Sequence, residues 1–289
     1  MTPRAWLLFT LCAVIWGVPY LFIKIAVDAG VAPAFVAWAR ITLAALLLLP
    51  LALRRGVLRG LRARSLAIVG YTATETAVPF VLTAAGERYI ASSLTAILIA
   101  AMPLMVALLS LRFIPGERLT RTRVVGLVLG FAGVVALLGI DIAGRGSELL
   151  GSALVLMATL CYALATIIVS RRLTDLDPFG PVTASLLLGA VALLPVGLAT
   201  LPAALPAPGA LWAIIILGVV CTAIGLLAYF RLIAVAGASR AAVVTYVNPV
   251  VAVVAGVVAL GEHIGVVSIV GLALILLGSW IATGGSHPA

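Results

Sequence analysis

Apolar residues in this chain come in long, nearly unbroken runs separated by short polar or turn-rich segments. Ten runs can be marked, at 5–26, 34–53, 65–85, 90–111, 122–141, 149–170, 179–200, 210–231, 239–261 and 264–284. Each is close to the ~20 residues a helix needs to cross the hydrocarbon of a bilayer. The breaks between them carry turn chemistry or charge: Asp28–Gly30 before Pro33, Arg54-Arg55-Gly56, Gly86-Glu87-Arg88, Pro115-Gly116-Glu117, Gly144–Gly146, Asp175–Pro178, Pro202–Gly209, Gly237–Arg240 and Gly261-Glu262-His263. Strands of a membrane barrel would be about 10 residues long and would alternate apolar with polar positions. These runs are too long and too uniform for that. The pattern predicts an all-α integral membrane protein with ten transmembrane helices. The first run lacks a small-residue cleavage site, so it is expected to remain as a helix rather than be removed as a signal peptide.

Composition agrees. Hydrophobic residues make up 64% of the chain and charged residues 9%, against about 25% charged in a soluble domain. The net charge of +9 would point to nucleic acid in a soluble protein. Here the basic residues lie between apolar runs, so the expectation is no nucleic-acid partner and a lipid bilayer instead. With the N-terminus placed in the cytoplasm, the inner segments hold Arg4, the cluster Arg54 to Arg64, the cluster Arg112 to Arg123, Arg171, Arg172, Arg231 and Arg240. That is fourteen basic residues inside, against three outside: Lys24, Arg88 and Arg145. The positive-inside rule then predicts a multi-pass protein of the inner (plasma) membrane with both termini cytoplasmic. Cys12, Cys161 and Cys221 each sit within an apolar run without metal-ligand spacing and read as small buried hydrophobes.

The chain also repeats itself. PLMVALLSLRFIPGERLTRTRVVGLVLGFAGVVALL, from Pro103, aligns with PVVAVVAGVVALGEHIGVVSIVGLALILLGSWIA, from Pro249. Trp16 aligns with Cys161 and Pro33 with Pro178, both at an offset of 145 residues. The division falls at 1–144 and 145–289. Five helices per copy is an odd number, so the second copy must enter the membrane from the opposite side. Two inverted five-helix repeats are the usual plan of secondary transporters, with the substrate held near mid-membrane between the halves.

WGVPYLFIKIAVDAG, PAFVAWARITLAALLLLPLAL and ASSLTAILIAAMPLMVALL with a downstream GERLT resemble the EamA repeat of the drug/metabolite transporter superfamily. GASRAAVVTYVNPVVAVVAGVVALGE resembles a second EamA copy, so the likeness covers nearly the whole chain. The resemblance implies ten helices, cytoplasmic termini and export of small metabolites. Within the family the chain looks most like the YddG-type exporters of aromatic and other amino acids.

Polar groups inside a bilayer are costly and mark candidate sites. Glu75, in Tyr71-Thr72-Ala73-Thr74-Glu75-Thr76, reads either as a cavity carboxylate or as a structural partner of Arg40 or the neighbouring hydroxyls. Arg40 reads as a structural group or as a clamp for a substrate carboxylate. Lys24 reads as snorkelling to the interface. Asn248-Pro249 corresponds by the repeat to Met102-Pro103, and Pro103 and Pro249 read as paired hinges, each freeing a carbonyl. Trp16, Tyr20, Tyr71, Tyr162 and Tyr246 are mid-helix aromatics that could line a cavity with Arg40, Glu75 and Asn248, whereas Trp6, Trp212 and Trp280 suit the membrane interfaces. Gly126, Gly130, Gly133, Gly271 and Gly278 give small faces for helix packing, within one chain or between two, so a monomer or weak homo-oligomer is expected.

No GxxxxGK[ST] motif, HExxH motif or His/Cys/Asp cluster is present, so no ATP, metal or other cofactor is expected. Asp175-Leu176-Asp177 reads as a helix cap, and the isolated His263 and His287 suggest no site. The reading is a non-enzymatic exporter of small metabolites, with aromatic or other neutral amino acids ahead of nucleosides or cationic compounds. The alternative of another class is a membrane enzyme or scaffold. That alternative predicts Glu75, Arg40 and Asn248 packed away from any cavity.

Overall fold

The computed structural model describes residues 1–139 and 146–284. Ten helices long and apolar enough to span a membrane account for most of them. They are α1 (Pro3–Asp28), α2 (Pro33–Arg55), α3 (Leu61–Gly86), α4 (Ser92–Phe113), α5 (Arg121–Leu138), α6 (Gly146–Arg172), α7 (Phe179–Ala199), α8 (Pro208–Ala236), α9 (Arg240–Leu260) and α10 (Val266–Thr283). Among the described residues there is no strand. The expected turn at Gly144–Gly146 lies outside the described residues save for Gly146, which opens α6; Arg145 and His287 also lie outside them. Ten crossings are an even number, so α1 starts and α10 ends on the same face, the terminal face. The opposite side is the far face.

The two inverted halves interleave rather than stand side by side. α2 packs on α7 and α8, α3 on α6, α1 on α8 and α9, α4 on α6 and α9, and α5 on α10. The last pair shows why its glycines are there. A Cβ at Gly278 would lie 2.4 Å from the Gly130 nitrogen, and one at Gly126 would lie 2.7 Å from the Gly278 carbonyl oxygen. Lipid tails are as apolar as leucine, so membrane helices gain by bringing backbones close, which small residues permit. The glycine faces therefore meet within one chain. Trp6, Trp212 and Trp280 are exposed near helix ends, as interface anchors are.

Five of the described helices are interrupted. α1 consists of Pro3–Gly17 and Pro19–Asp28, hinged at Val18 because Pro19 cannot donate into the first segment. α4 consists of Ser92–Ile99 and Met102–Phe113, with Pro103 at the start of the second piece. In α3 and α8 the spacing widens to π-helix over Thr72–Ala77 and Leu217–Ile224. These segments begin 145 residues apart and so are repeat-related. Threonines fill the loosened ladders: Thr72 Oγ1 donates to the Ile68 carbonyl at 2.8 Å, Thr76 Oγ1 to Thr72 at 2.9 Å and Thr222 Oγ1 to Leu217 at 2.8 Å. Pro249 differs from its counterpart, since it lies inside the continuous segment Val244–Leu260 while α9 breaks earlier, at Val243. The paired prolines thus occupy unlike settings.

Gly278→Ala should lower thermal stability in detergent by about 1–3 kcal/mol, because the added methyl meets backbone that cannot retreat. Gly209→Ala, where nothing lies within 4 Å of the new carbon, should leave it unchanged. Nanoscale fluorimetry of both purified variants checks the pair.

Candidate functional site

A cavity of about 250 Å³ lies between the halves at mid-membrane depth. Its walls come from the interrupted parts of the helices. Trp16 and Tyr20 flank the Val18 break of α1. Tyr71, Glu75 and Thr76 come from in and beside the π segment of α3, and Cys221 and Thr222 from that of α8. Met102 follows the α4 break. Arg40 of α2, Phe80 of α3, Tyr162 of α6 and Asn248 of α9 complete the polar and aromatic lining. Irregular backbone is tolerated at this depth only where it borders protein or a cavity, and π segments recur at functional sites.

A basic and an acidic side chain face this space. The Arg40 Nε donates to Thr222 Oγ1 at 2.8 Å, and its guanidinium carbon stands 4.1 Å from the centre of the Phe80 ring. Those contacts orient the plane of the fork. Neither terminal nitrogen of Arg40 bonds a protein group among the described residues. The Glu75 carboxylate likewise accepts no hydrogen bond and joins no ion pair there. So Arg40 and Glu75 are not each other's partners. Asn248 Oδ1 is buried without a hydrogen bond, an acceptor left for something else. The Trp16 indole lies against Tyr229 at 4.6 Å between ring centres, which holds it beside Gly225.

Of the eight residues the sequence marked for a cavity, seven meet here: Trp16, Tyr20, Arg40, Tyr71, Glu75, Tyr162 and Asn248. Tyr246 stands apart. Its hydroxyl is 3.2 Å from Thr283 Oγ1 of α10. Residues two apart on a helix point about 200° from one another, so Tyr246 and Asn248 cannot share one wall. Lys24 does reach the far end of its helix, but it is tied down there. Its ammonium donates to Asp28 Oδ1 at 2.8 Å and to the Glu87 carbonyl at 3.0 Å. Phe80 and Thr222 were not marked by the sequence. Thr222 could have been found through the repeat, as the neighbour of Cys221, the counterpart of Thr76 at the 145-residue offset.

At the far face a side chain of the second half ties down a helix of the first. Glu262, in the turn between α9 and α10, caps the N-terminus of α4. It accepts from the Ser92 backbone N–H at 2.7 Å, the Ser92 hydroxyl at 2.8 Å and the Ser93 backbone N–H at 3.0 Å. Burial alone would raise its carboxyl, but the Ser93 and Ser92 hydrogen bonds outweigh burial and hold it below the ordinary value. A carboxylate at a helix N-terminus also gains from the helix dipole. Its repeat counterpart on the terminal face, Glu117, pairs instead with Arg123, which also donates to Ser110 Oγ and the Ala107 carbonyl. α9 packs on the far half of α4, while the other half of α4 turns to α5, α6 and α10.

A family profile described as the EamA-like transporter family matches residues 4–139 and 149–284. An "Uncharacterized transporter" of Archaeoglobus fulgidus is 31% identical over 200 residues, covering 68% of this chain and 69% of the relative. The "Uncharacterized inner membrane transporter YedA" of Escherichia coli K12 is 28% identical over 288 residues, covering 95% and 89%. A crystal structure titled only as that of a protein superposes with a TM-score of 0.66 at 21% identity, over 99% of this chain and 98% of its own. At that identity the likeness speaks to the fold.

Glu262→Gln should lower stability in detergent at neutral pH by about 1–2 kcal/mol, since bonds to an ionised acceptor are worth more than neutral ones. A depressed carboxyl stabilises above its unfolded value and loses that contribution as pH falls through the folded one. Wild type should therefore lose stability below the usual carboxylate range more steeply than the variant. Melting curves across an acid series read both effects.

Proposed function

We propose that this chain, which belongs to the EamA-like transporter family, is an exporter of small zwitterionic metabolites, with aromatic and other neutral amino acids as the favoured class. It is a multi-pass membrane transporter. The observation that carries the substrate class is the basic Arg40 and the acidic Glu75, unpaired with each other and lining one cavity, where an incoming ammonium would favour the ionised form of Glu75. A planar guanidinium fork suits a carboxylate, and a carboxylate suits an ammonium. Trp16, Tyr20, Tyr71, Tyr162 and Phe80 supply faces on which a flat side chain stacks. A cavity of about 250 Å³ is smaller than the ~300–1,000 Å³ typical of drug-sized ligands, which favours metabolites over bulky drugs.

Alternating access is the mechanism that this architecture supports. The halves are inverted copies, and they are not in the same conformation. Glu262 grips the far end of α4 while Glu117 is engaged locally. Exchange of these settings between the halves would close the terminal face and open the far one. The excess of arginine on the terminal face supports its placement in the cytoplasm of an inner membrane, which makes passage from terminal to far face an export.

In proteoliposomes, labelled amino acids should exchange across the membrane, with Arg40→Gln and Glu75→Gln each at least about tenfold slower, the loss of one charged contact being worth ~1.4 kcal/mol or more. No exchange above empty vesicles for any amino acid would sink the substrate class. Stabilisation by nucleosides or organic cations in a melting screen would then name another. A C-terminal green fluorescent protein fusion should fluoresce and an alkaline phosphatase fusion should be inactive. The reverse pattern would overturn the orientation.

A further inference from the structure

Glu87 is the residue immediately after α3, just beyond the membrane span. Its side chain is fully buried, and both carboxylate oxygens lack any hydrogen-bond partner. Lys24 is close, yet its ammonium bonds the Glu87 backbone carbonyl at 3.0 Å and the Asp28 carboxylate at 2.8 Å, leaving the Glu87 carboxylate unserved. The groups facing it are Lys24, Asp28 and Tyr20 from α1, Arg40 from α2 and Glu262 from the turn after α9. Burial pushes its carboxyl well above the ordinary range; Lys24 and Arg40 oppose this, while Glu262 and Asp28 add to it.

Five residues further on, Ser92 and Ser93 donate to the Glu262 carboxylate that ties the two halves together at the far face. The seal thus contains two acids in opposite environments. Glu262 has three donors on it, and Glu87 has none. An ionised carboxylate buried without partners is strongly disfavoured, whereas a neutral one costs little. Closing the far end over Glu87 therefore requires a proton on it. Thr83, one turn earlier, and Tyr20, one turn before Lys24, both line the cavity. Glu87 lies between the far compartment and the substrate space. The repeat supplies no matching acid, since its counterparts are Leu232 and Ile233.

We propose that Glu87 is the coupling site of this transporter and that its ligand is the proton. Building on the alternating-access reading, the cycle balances as follows. With the far end open, the Glu87 carboxylate takes a proton from the far compartment, and the far end closes over the neutral acid. With the cavity open to the terminal face, the proton leaves past Tyr20 and Thr83. The re-ionised carboxylate is then intolerable in the closed seal and drives the far end open again. One proton moves inward for each outward passage of substrate.

The test does not need the substrate. In a background without Cys12, Cys161 and Cys221, a cysteine at Ala91 reports on the seal and one at exposed Ala29 serves as the reference. Labelling by a membrane-impermeant maleimide from the far side, taken as the Ala91-to-Ala29 ratio, should rise at least threefold from pH 5.5 to pH 8. Glu87→Gln and Glu87→Leu should hold the ratio low throughout, whereas Glu262→Gln, which removes a negative charge that raises the Glu87 carboxyl, should keep the pH dependence and move its midpoint down. A flat wild-type profile, a pH-dependent profile in either Glu87 variant, or an open seal in both variants overturns the proposal. If amino acids exchange, a trapped pH dye should also show proton entry in wild type and none in Glu87→Gln. If they do not, the substrate reading fails while the labelling still decides the role of Glu87.

Discussion

The hydrocarbon of the bilayer offers no partner to a backbone N–H or carbonyl, so every such group must be satisfied by the protein itself. That constraint shapes the whole molecule. It makes the crossing segments helical and permits departures from helix only where other protein or a cavity takes up the loosened groups. Apart from the α9 break at Val243, the departures from helix within the spans are gathered, not scattered. The α1 break at Val18, the α4 break at Ala100-Ala101 and the π segments of α3 and α8 all border the same cavity. The threonines that repair the π segments are drawn from the same few positions that line it. Structural repair and a polar cavity wall are thus achieved by one set of residues.

The inverted repeat gives the molecule two equivalent ends, and the structure shows them in different states. At the far face Glu262 bridges between the halves to cap α4. At the terminal face its counterpart Glu117 stays within its own half, with Arg123. The α5–α10 glycine seam sits outside this asymmetry. Its backbones are already as close as packing allows, which marks that pair as the part least able to shift when the ends exchange.

Much of this was legible in the sequence, because the strongest signals there are also the strongest forces. Ten apolar runs and an odd number per copy specify the span count and the inversion. Polar residues at mid-membrane depth located the cavity, since a lone Glu75 or Arg40 has nowhere else to go. Less was legible where the answer depends on rotation about a helix axis. Tyr246 and Asn248 are nearly adjacent in sequence yet face opposite ways. Pairings were hidden too: nothing in the order of residues shows that Arg40 would lie over Phe80 rather than against Glu75, or that Glu87 would end buried while Asp28, three residues before Val31, stays in the open. These follow from which helices become neighbours, and that is settled only when the halves interleave.

The π segments carry a last implication, one about inheritance. Each winds an extra residue into its turn relative to an α-helix, and one residue in an α-helix is worth about 100° of rotation. Loss of a single residue from Thr72–Ala77 would restore a regular helix and swing everything on one side of it by that angle, carrying Tyr71 or Phe80 off the cavity and toward lipid. Substitutions in these six positions can be sampled one side chain at a time, but their number cannot change. Descendants of this chain are free to alter what the wall recognises far more readily than how long the wall is.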